Sequence, residues 1–284
     1  MDYKQYENPE ELRKLQIIST RVLEELDRVC QLLDIPYFIY AGTAIGALRH
    51  GGFIPWDDDI DVGFFRDDYE RFLKEAPSVI SDDFEINNGR LDDYFPACNS
   101  NLSLKGSLCV PEEFDRCEFQ YRIGLGLYAF DKVSNDEAIR RKQLRGTWLW
   151  ARISFLLATP EPHVPFSGVA EKGIKFVCAI VHKVLRLFRV SSKRVHEKWE
   201  YYATLAQGEE VLIYADFTDR HPLSWTVTNA EVFPMKRIAF EDIEVNIPND
   251  CDAMLRRGYG DYMVVPPEGD RKNHYPSKLD FGKY

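Results

Sequence analysis

The chain has 284 residues, 45% of them apolar, and a net charge of −10. That is enough apolar material for a sizeable core in one or two domains, and the acidic balance argues against nucleic acid as a partner. The N-terminal MDYKQYENPEE is polar and lacks a secretory leader pattern. No run of about eighteen uncharged apolar residues offers a membrane span, so the sequence reads as cytoplasmic.

The first predicted element is a helix from Pro9 to about Leu33. Asn8 suits the N-cap, Pro9 the first position and Glu11 the third. Leu12, Leu15, Ile18, Val22, Leu26 and Val29 recur at helical spacing. The polar face, with Arg13, Lys14 and Arg21, reads as solvated. Pro36 to Tyr40 is aromatic and β-branched, so it reads as a buried strand. It ends at Gly42-Thr43, where glycine permits close backbone approach to a ligand. Ala44 to Arg49 reads as a short helix with Thr43 as N-cap, stopped by His50-Gly51-Gly52. Free N–H groups at such an N-terminus suit a phosphate.

Four aspartates then fall within five residues: Asp57, Asp58, Asp59 and Asp61. Asp59 to Phe64 reads as a second strand. Alternate strand residues share a face, so Asp59 and Asp61 would point together, with Ile60 and Val62 opposite. Two carboxylates on one rigid strand suit a hard divalent cation. Mg²⁺ commonly takes one or two carboxylates plus substrate phosphates, and paired ions can clamp an in-line displacement at phosphorus. The competing reading is an acidic, solvated loop in which Asp57 or Asp58 caps a turn. The apolar flanks and the preceding Gly-Thr-helix favour the metal site.

Asp67 to Ala76 reads as a surface helix ended by Pro77. Residues 82–131 look β-rich and irregular, with strands at Ser103 to Lys105 and Glu118 to Phe130 and a turn at Asp115-Arg116. Gly124-Leu125-Gly126 lacks the further glycine and helix of a dinucleotide site. The six cysteines and six histidines show no metal spacing. Cys109 and Cys117 could pair across a hairpin, but free buried thiols fit a reducing compartment better.

Residues 138–198 hold thirteen Lys and Arg against three Glu and no Asp. Trp148 to Leu157 and Ile174 to Val190 form two apolar clusters, separated by a loop carrying Pro160, Pro162 and Pro165. Two readings stand. Basic amphipathic helices with aromatic residues lie in the interface of anionic membranes, here at the inner face of the plasma membrane. Alternatively, the helices pack on the core with a solvated basic face. Beyond them, a strand is predicted within Glu209 to Phe217, paired strands around Glu241-Asp242, and a helix from Asp250 to Arg257 stopped by Gly258. Arg271 and His274 follow Pro266-Pro267. Arginine binds phosphate in a bidentate fashion, and histidine acts near neutral pH.

The run GTAIGALRHGGFIPWDDDIDVGF, continuing into RDDYERFL, resembles the signature of the LicD family, in the nucleotidyltransferase-fold superfamily. Phe240-Glu241, Ile247-Pro248 and LRRGYGDYMVVPPEGDRKNH resemble that family's closing segment. The resemblance implies an α/β (α+β) fold, with a nucleotidyltransferase-like mixed sheet flanked by helices. Residues 1–137 would form the catalytic core, 138–198 a basic helical insertion, and 199–284 a segment that completes the core and closes the cleft. It implies transfer of phosphocholine or a similar phospho-substituent from a CDP-linked donor such as CDP-choline. The acceptor would be a glycan or lipid-linked glycan, such as a teichoic acid or lipopolysaccharide precursor. Asp59 and Asp61 would hold Mg²⁺ or Mn²⁺. Gly42 and Thr43 would contact donor phosphate, Arg49 and His50 would support it, and Arg271 and His274 would add donor or acceptor contacts. Aromatic side chains could cage a quaternary ammonium group.

One position departs from the pattern. Similar proteins begin a motif like DIFPLD with an acid where this chain has Gly126. Asp131 lies roughly 16 Å along that strand on the opposite face, and Glu118 roughly 26 Å away. Two other classes stay open: nucleotidyl transfer, which would leave the nucleotidyl group on the acceptor, and, because of Gly126, a non-catalytic partner that binds glycan or another transferase. If the position is vacant, transfer is slow, and Gly126→Asp should raise it where the pocket has room.

Overall fold

The computed structural model describes residues 6, 8–162 and 167–284. The loop position predicted at Pro165 lies outside them. Helix α1 (Pro9–Leu33) forms as read: the Asn8 side chain accepts from Glu10 N–H at 2.9 Å, and Asp34 ends the helix in a left-handed conformation. Its apolar stripe is buried, with Val22, Leu26 and Val29 fully enclosed. The polar face is more than solvated. Arg13 pairs with Glu241 at 2.6 Å, and Lys14 lies 4.3 Å over the Phe281 ring.

Strand β1 (Phe38–Ile39), helix α2 (Ala41–His50), strand β2 (Asp61–Phe65) and helix α3 (Arg66–Glu75) follow. Strands β3 (Phe84–Asn88), β4 (Ser100–Leu104), β5 (Leu108–Pro111) and β6 (Gly124–Lys132) come next. Helices α4 (Glu137–Ala158), α5 (Gly168–Leu187) and α6 (Ser192–Ala203) lead to β7 (Tyr214–Asp216), β8 (Thr226–Val227) and α7 (Asn229–Val232). The chain closes with β9 (Lys236–Phe240), β10 (Ile243–Ile247), α8 (Cys251–Tyr259) and β11 (Pro276–Asp280).

Among the described residues, seven strands form one mixed sheet. Strands β1, β2, β6, β4 and β3 lie side by side; β7 continues on the far half of β6 and carries β8. The β2–β6 pair is parallel, and Asp61 stands opposite Gly126. Gly63 is needed at the centre: a Cβ there would come 2.6 Å from the Phe38 ring and 2.8 Å from Phe130. The β9–β10 hairpin, predicted around Glu241-Asp242, grips the turn after α2. Its Glu241 carboxylate accepts from Phe53 N–H at 3.1 Å and fills the space that a Cβ on Gly52 would need. Strand β11 pairs with β5.

Several predicted boundaries shift. The strand expected from Glu118 begins only at Gly124, because residues 117–123 turn away and Glu118 pairs with Arg186 of α5 at 2.9 Å. Gly258 does not stop α8, which runs to Tyr259. Gly258 is instead where the Trp225 ring packs against the helix, 2.4 Å from any added Cβ. Helix α2 begins at Ala41, so Thr43 lies inside its first turn and is no cap. All six cysteines are free.

The two helices of the basic segment differ in how deeply they pack. Helix α4 is docked. Its Gln143 is fully buried and bonds Lys132 O and Ala203 O, and α6 places Trp199 and Ala203 in a second small core with Phe217. Helix α5 has no buried residue.

Candidate active site

The site is assembled where β1 and β7 end and β2 begins. The chain leaves β1 through Ala41, whose φ of 50° is left-handed. That conformation costs about 1–2 kcal/mol for a residue with a Cβ. It is imposed from both sides: Tyr40 N–H donates to Asp61 O at 3.2 Å, and Asp61 N–H donates to Thr43 Oγ1 at 2.8 Å. The first turn of α2 is thereby clamped to the start of β2. Gly42 lies against Asp57, whose Oδ2 would be 2.8 Å from a Cβ at that position. The close approach expected of Gly42 is thus made to a carboxylate of the protein.

The ladder of β2 begins at Asp61, later than predicted. Ile60 and Val62 are nevertheless both fully buried, as alternation requires. Asp57 and Asp59 lie within hydrogen-bond reach of one another. Burial, then the Asp59 and Asp58 charges, push the Asp57 carboxyl well up. Burial and the Asp59 charge do the same to Asp61. Burial also presses on Asp59, but hydrogen bonding and charge from His274 outweigh it and hold that carboxyl low. The Asp59 side chain keeps 42% exposure, so it stands at the mouth of the cleft.

His274 is brought to the site. Its backbone N–H donates to Asp58 Oδ1 at 2.8 Å, and its Nδ1 lies 3.2 Å from Asp59 Oδ2. Hydrogen bonding to Asp58 and then Asp59 raises its proton affinity, and its 57% exposure lets solvent screen part of that effect. Asp58 is further held by the Tyr6 hydroxyl at 2.8 Å. Arg271 comes close as well, 4.4 Å over the ring of Trp56, the neighbour of Asp57. Arg49 and His50 are not brought there. They end α2, roughly 10 Å along its axis from Gly42 at the usual helical rise. Arg49 Nη1 donates to Tyr262 O at 2.6 Å, so it fastens the closing segment.

Gly126 is not a vacancy. The Tyr128 ring folds over it, 2.4 Å from where a Cβ would stand, and the phenol hydrogen-bonds Asp61. The room that Gly126→Asp requires is occupied. Asp131, on the opposite face as parity predicted, is fully buried and held by Arg66 at 2.7 and 2.6 Å.

An acid that sequence reasoning passed over enters from β7. Asp216 is 3% exposed. It accepts from Thr218 N–H at 2.8 Å and from the Tyr40 hydroxyl at 3.2 Å. Burial pushes it to about 6, and its charge in turn raises Asp61. The available signal was an acid at the end of a short apolar strand, which carries no motif. Asp57, which the sequence suggests as a turn cap, is part of the cluster. Tyr259 borders the same space: burial and the charges of Asp61, Asp57 and Asp59 raise its phenol.

The donor set fits a hard divalent cation. Ligand atoms of Asp57, Asp58, Asp59 and His274 all lie within 4.8 Å of one another; Asp61, expected to share the ion with Asp59, is not in that group and meets it through its charge. Carboxylates this close repel and retain protons unless a cation displaces them.

Residues 34–101 match the model of the LicD/FKTN/FKRP nucleotidyltransferase domain. The chain is 25% identical over 280 residues to the lipopolysaccharide cholinephosphotransferase LicD of Haemophilus influenzae, covering 93% of this chain and 96% of that one. An uncharacterised protein of Rickettsia prowazekii is 51% identical over 164 residues, 51% of this chain and 59% of that one. The ribitol 5-phosphate transferase FKRP of mouse and human is 38% identical over 52 residues, 17% of this chain and 10% of each relative.

Proposed function

The chain belongs to the LicD family, and on that premise we propose that it transfers a phospho-substituent from a cytidine diphosphate donor to a cell-surface glycan. Phosphocholine is the first candidate, because the relative that aligns over nearly the whole chain is named a lipopolysaccharide cholinephosphotransferase. The observation that carries the reading is the Asp57–Asp59–Asp61 cluster beside the first turn of α2. Repelling carboxylates and the N-terminal turn of a helix stand there together, the pairing that a cation and a nucleotide phosphate would satisfy.

Asp59 would hold Mg²⁺ or Mn²⁺ with Asp57 and Asp58 in reach of the same ion, and Asp61 would face it from the side. Such an ion neutralises phosphate charge and aligns the displacement. The chain's own residues supply placement. Thr43 locks the helix turn to Asp61, Tyr128 fixes the Asp61 carboxylate, and Asp216 holds Tyr40 against it. His274 and Arg271 bring positive charge to the rim, where a donor pyrophosphate would lie. The acceptor hydroxyl attacks phosphorus in line and CMP departs. Phosphoryl transfer of this kind needs positioning and charge neutralisation more than covalent chemistry.

Helix α5 would lie on an anionic membrane surface that carries the acceptor. Phe176, Val177, Ile180, Val184, Leu187 and Phe188 are exposed along it, and Lys172, Lys183 and Arg189 border the stripe. Among the described residues no helix is long and apolar enough to cross a membrane.

The test is incubation with CDP-choline and Mg²⁺, scoring CMP release and choline on a glycan acceptor. A thermal-shift panel of CDP-linked donors would identify the substituent, since a bound donor raises stability by mass action. Cytidine label retained on the acceptor would mean nucleotidyl transfer instead. A chain that neither binds nor cleaves any such donor would sink the reading.

A further inference from the structure

A cavity of about 720 Å³ opens between α4 and residues 217–224. Its volume is that of a small-molecule pocket. Its apolar wall includes Trp148, Leu149 and Leu223, which are 54%, 48% and 46% exposed. Large apolar side chains grouped in a concave surface point to an apolar ligand. The same cavity is lined by Arg145, Arg152 and Arg220. The Arg152 guanidinium lies 4.0 Å over the Trp148 ring, and burial and the nearby Arg220 charge both weaken its hold on its proton. Among the described residues, none of these three arginines has a carboxylate at ion-pair distance. Guanidinium groups that line one apolar pocket, close enough for one charge to act on another, call for an anion, and their planar fork suits phosphate.

The position narrows the ligand further. The wall at 217–224 starts next to Asp216, and Thr218, which lines the cavity, is the residue that bonds Asp216. Asp219, also in the lining, is close enough for its charge to raise both Asp216 and Tyr259. The cavity and the acid cleft therefore share a wall. Helix α4 in turn meets α5, where His182 Nδ1 lies 2.8 Å from Leu156 O.

We infer that this cavity binds a long-chain hydrocarbon phosphate, with the chain against Trp148, Leu149 and Leu223 and the phosphate between Arg152 and Arg220. That its natural occupant is the lipid end of the glycan acceptor rests on the transfer reading above; the binding itself does not. A chain held there by its phosphate would present an attached glycan at the cleft from the β7 side.

The experiment is calorimetric titration of the full chain, without donor, with decyl phosphate below its micelle concentration, decanol and inorganic phosphate. Decyl phosphate should bind at least about tenfold more tightly than either fragment, because a charge-assisted pair and an apolar contact are made together. The Arg152→Gln/Arg220→Gln variant should lose about tenfold in decyl phosphate affinity, and Leu149→Glu should lose it too, with melting curves checking that each still folds. Equal affinity for decyl phosphate and inorganic phosphate would reduce the cavity to an anion site and overturn the inference. So would equal affinity for decyl phosphate and decanol, no binding at all, or binding indifferent to the two arginines. Because no donor is present, failure here is separate from failure of the transferase reading.

Discussion

The acid cleft and helix α5 each concentrate charge, and they are built in opposite ways. In the cleft, acids from the 57–61 run and from β7 converge on one space, and hydrogen bonds from backbone and side chains hold them. Asp61 is tied through both its N–H and its C=O, Asp58 through Tyr6 and His274, and Asp216 through Thr218 and Tyr40. The charges repel at close range, and the fold holds them there. On α5 the charges are spread along an exposed helix beside exposed apolar residues, and Arg186 is the member tied to the core, by Glu118 at 2.9 Å and the Tyr94 ring at 3.9 Å. The first arrangement suits one small cation. The second suits an extended surface of opposite charge.

If the cleft is a cation seat, removing one carboxylate should have the largest effect in the molecule. Asp59→Asn and Asp61→Asn are expected to lower Mg²⁺-dependent CMP release by at least about 100-fold. In EDTA the two should part: Asp61→Asn should hold or raise thermal stability, since it removes a repelled carboxylate, whereas Asp59→Asn should lower it, since it takes away the partner of His274. Normal turnover by both variants would dismiss the site. Arg49→Gln is the contrast: it should loosen the 262–264 segment and leave the chemistry nearly intact.

That contrast also marks how far the sequence was legible. Asp59, Asp61, Gly42 and Thr43 lie within twenty residues, in a run whose glycine, tryptophan and acids each have a local reason. Helix α1 and the β9–β10 hairpin were legible from capping and periodicity. Asp216 was not, because it reaches the cleft only through the pairing of β7 with β6, about 85 residues apart in sequence order, and non-local pairing leaves no periodic trace. Arg49 and His50 misled for the converse reason. They lie near Gly42 in sequence, but a helix of ten residues puts its two ends well apart. Gly126 looked like a lost acid because a sequence does not show that Tyr128, two residues on, folds back over it.

Asp216 gives the next largest effect, and its sign is set by linkage. Its folded value of about 6 lies above the ordinary 3.8. The folded state therefore holds this proton more tightly than the unfolded chain does. Stability falls as pH rises from about 4 to 6, and above that window the cost is about 3 kcal/mol at most. Asp216→Asn escapes that cost. It should melt higher than the natural protein at pH 7.5 in EDTA, and the gap should close as pH falls towards 4. Adding Mg²⁺ should help the natural protein more than the variant. A gap independent of pH would mean that Asp216 is not strained by its surroundings.

Gly126→Asp should be smaller in stability and opposite to what a vacant acid position would give. The new side chain must displace the Tyr128 ring, an overpacking cost of about 1–3 kcal/mol, and Tyr128 then releases Asp61. Lower melting temperature and slower CMP release are expected together. Faster release would show that Tyr128 can swing away and that the position is a true third acid site.

The smallest effects belong to α5, and they separate its two kinds of basic residue. Binding to vesicles containing anionic lipid should weaken as salt is raised, since attraction is screened over roughly 8–10 Å near physiological ionic strength. A basic side chain near the surface contributes about 1 kcal/mol. Lys183→Gln and Arg189→Gln should therefore each weaken binding roughly fivefold while leaving the melting temperature unchanged. Arg186→Gln should do the reverse. Its guanidinium is occupied by Glu118 and Tyr94, so its loss should lower the melting temperature and change vesicle affinity little. Phe176→Ser and Phe188→Ser test the apolar stripe, and should weaken binding at every salt concentration because burial of apolar surface is not screened. If all three basic substitutions act alike on vesicles, α5 does not keep its place on the core when it meets the membrane. If none acts and neutral vesicles bind as well as anionic ones, the basic face is solvated surface and the stripe alone is the contact.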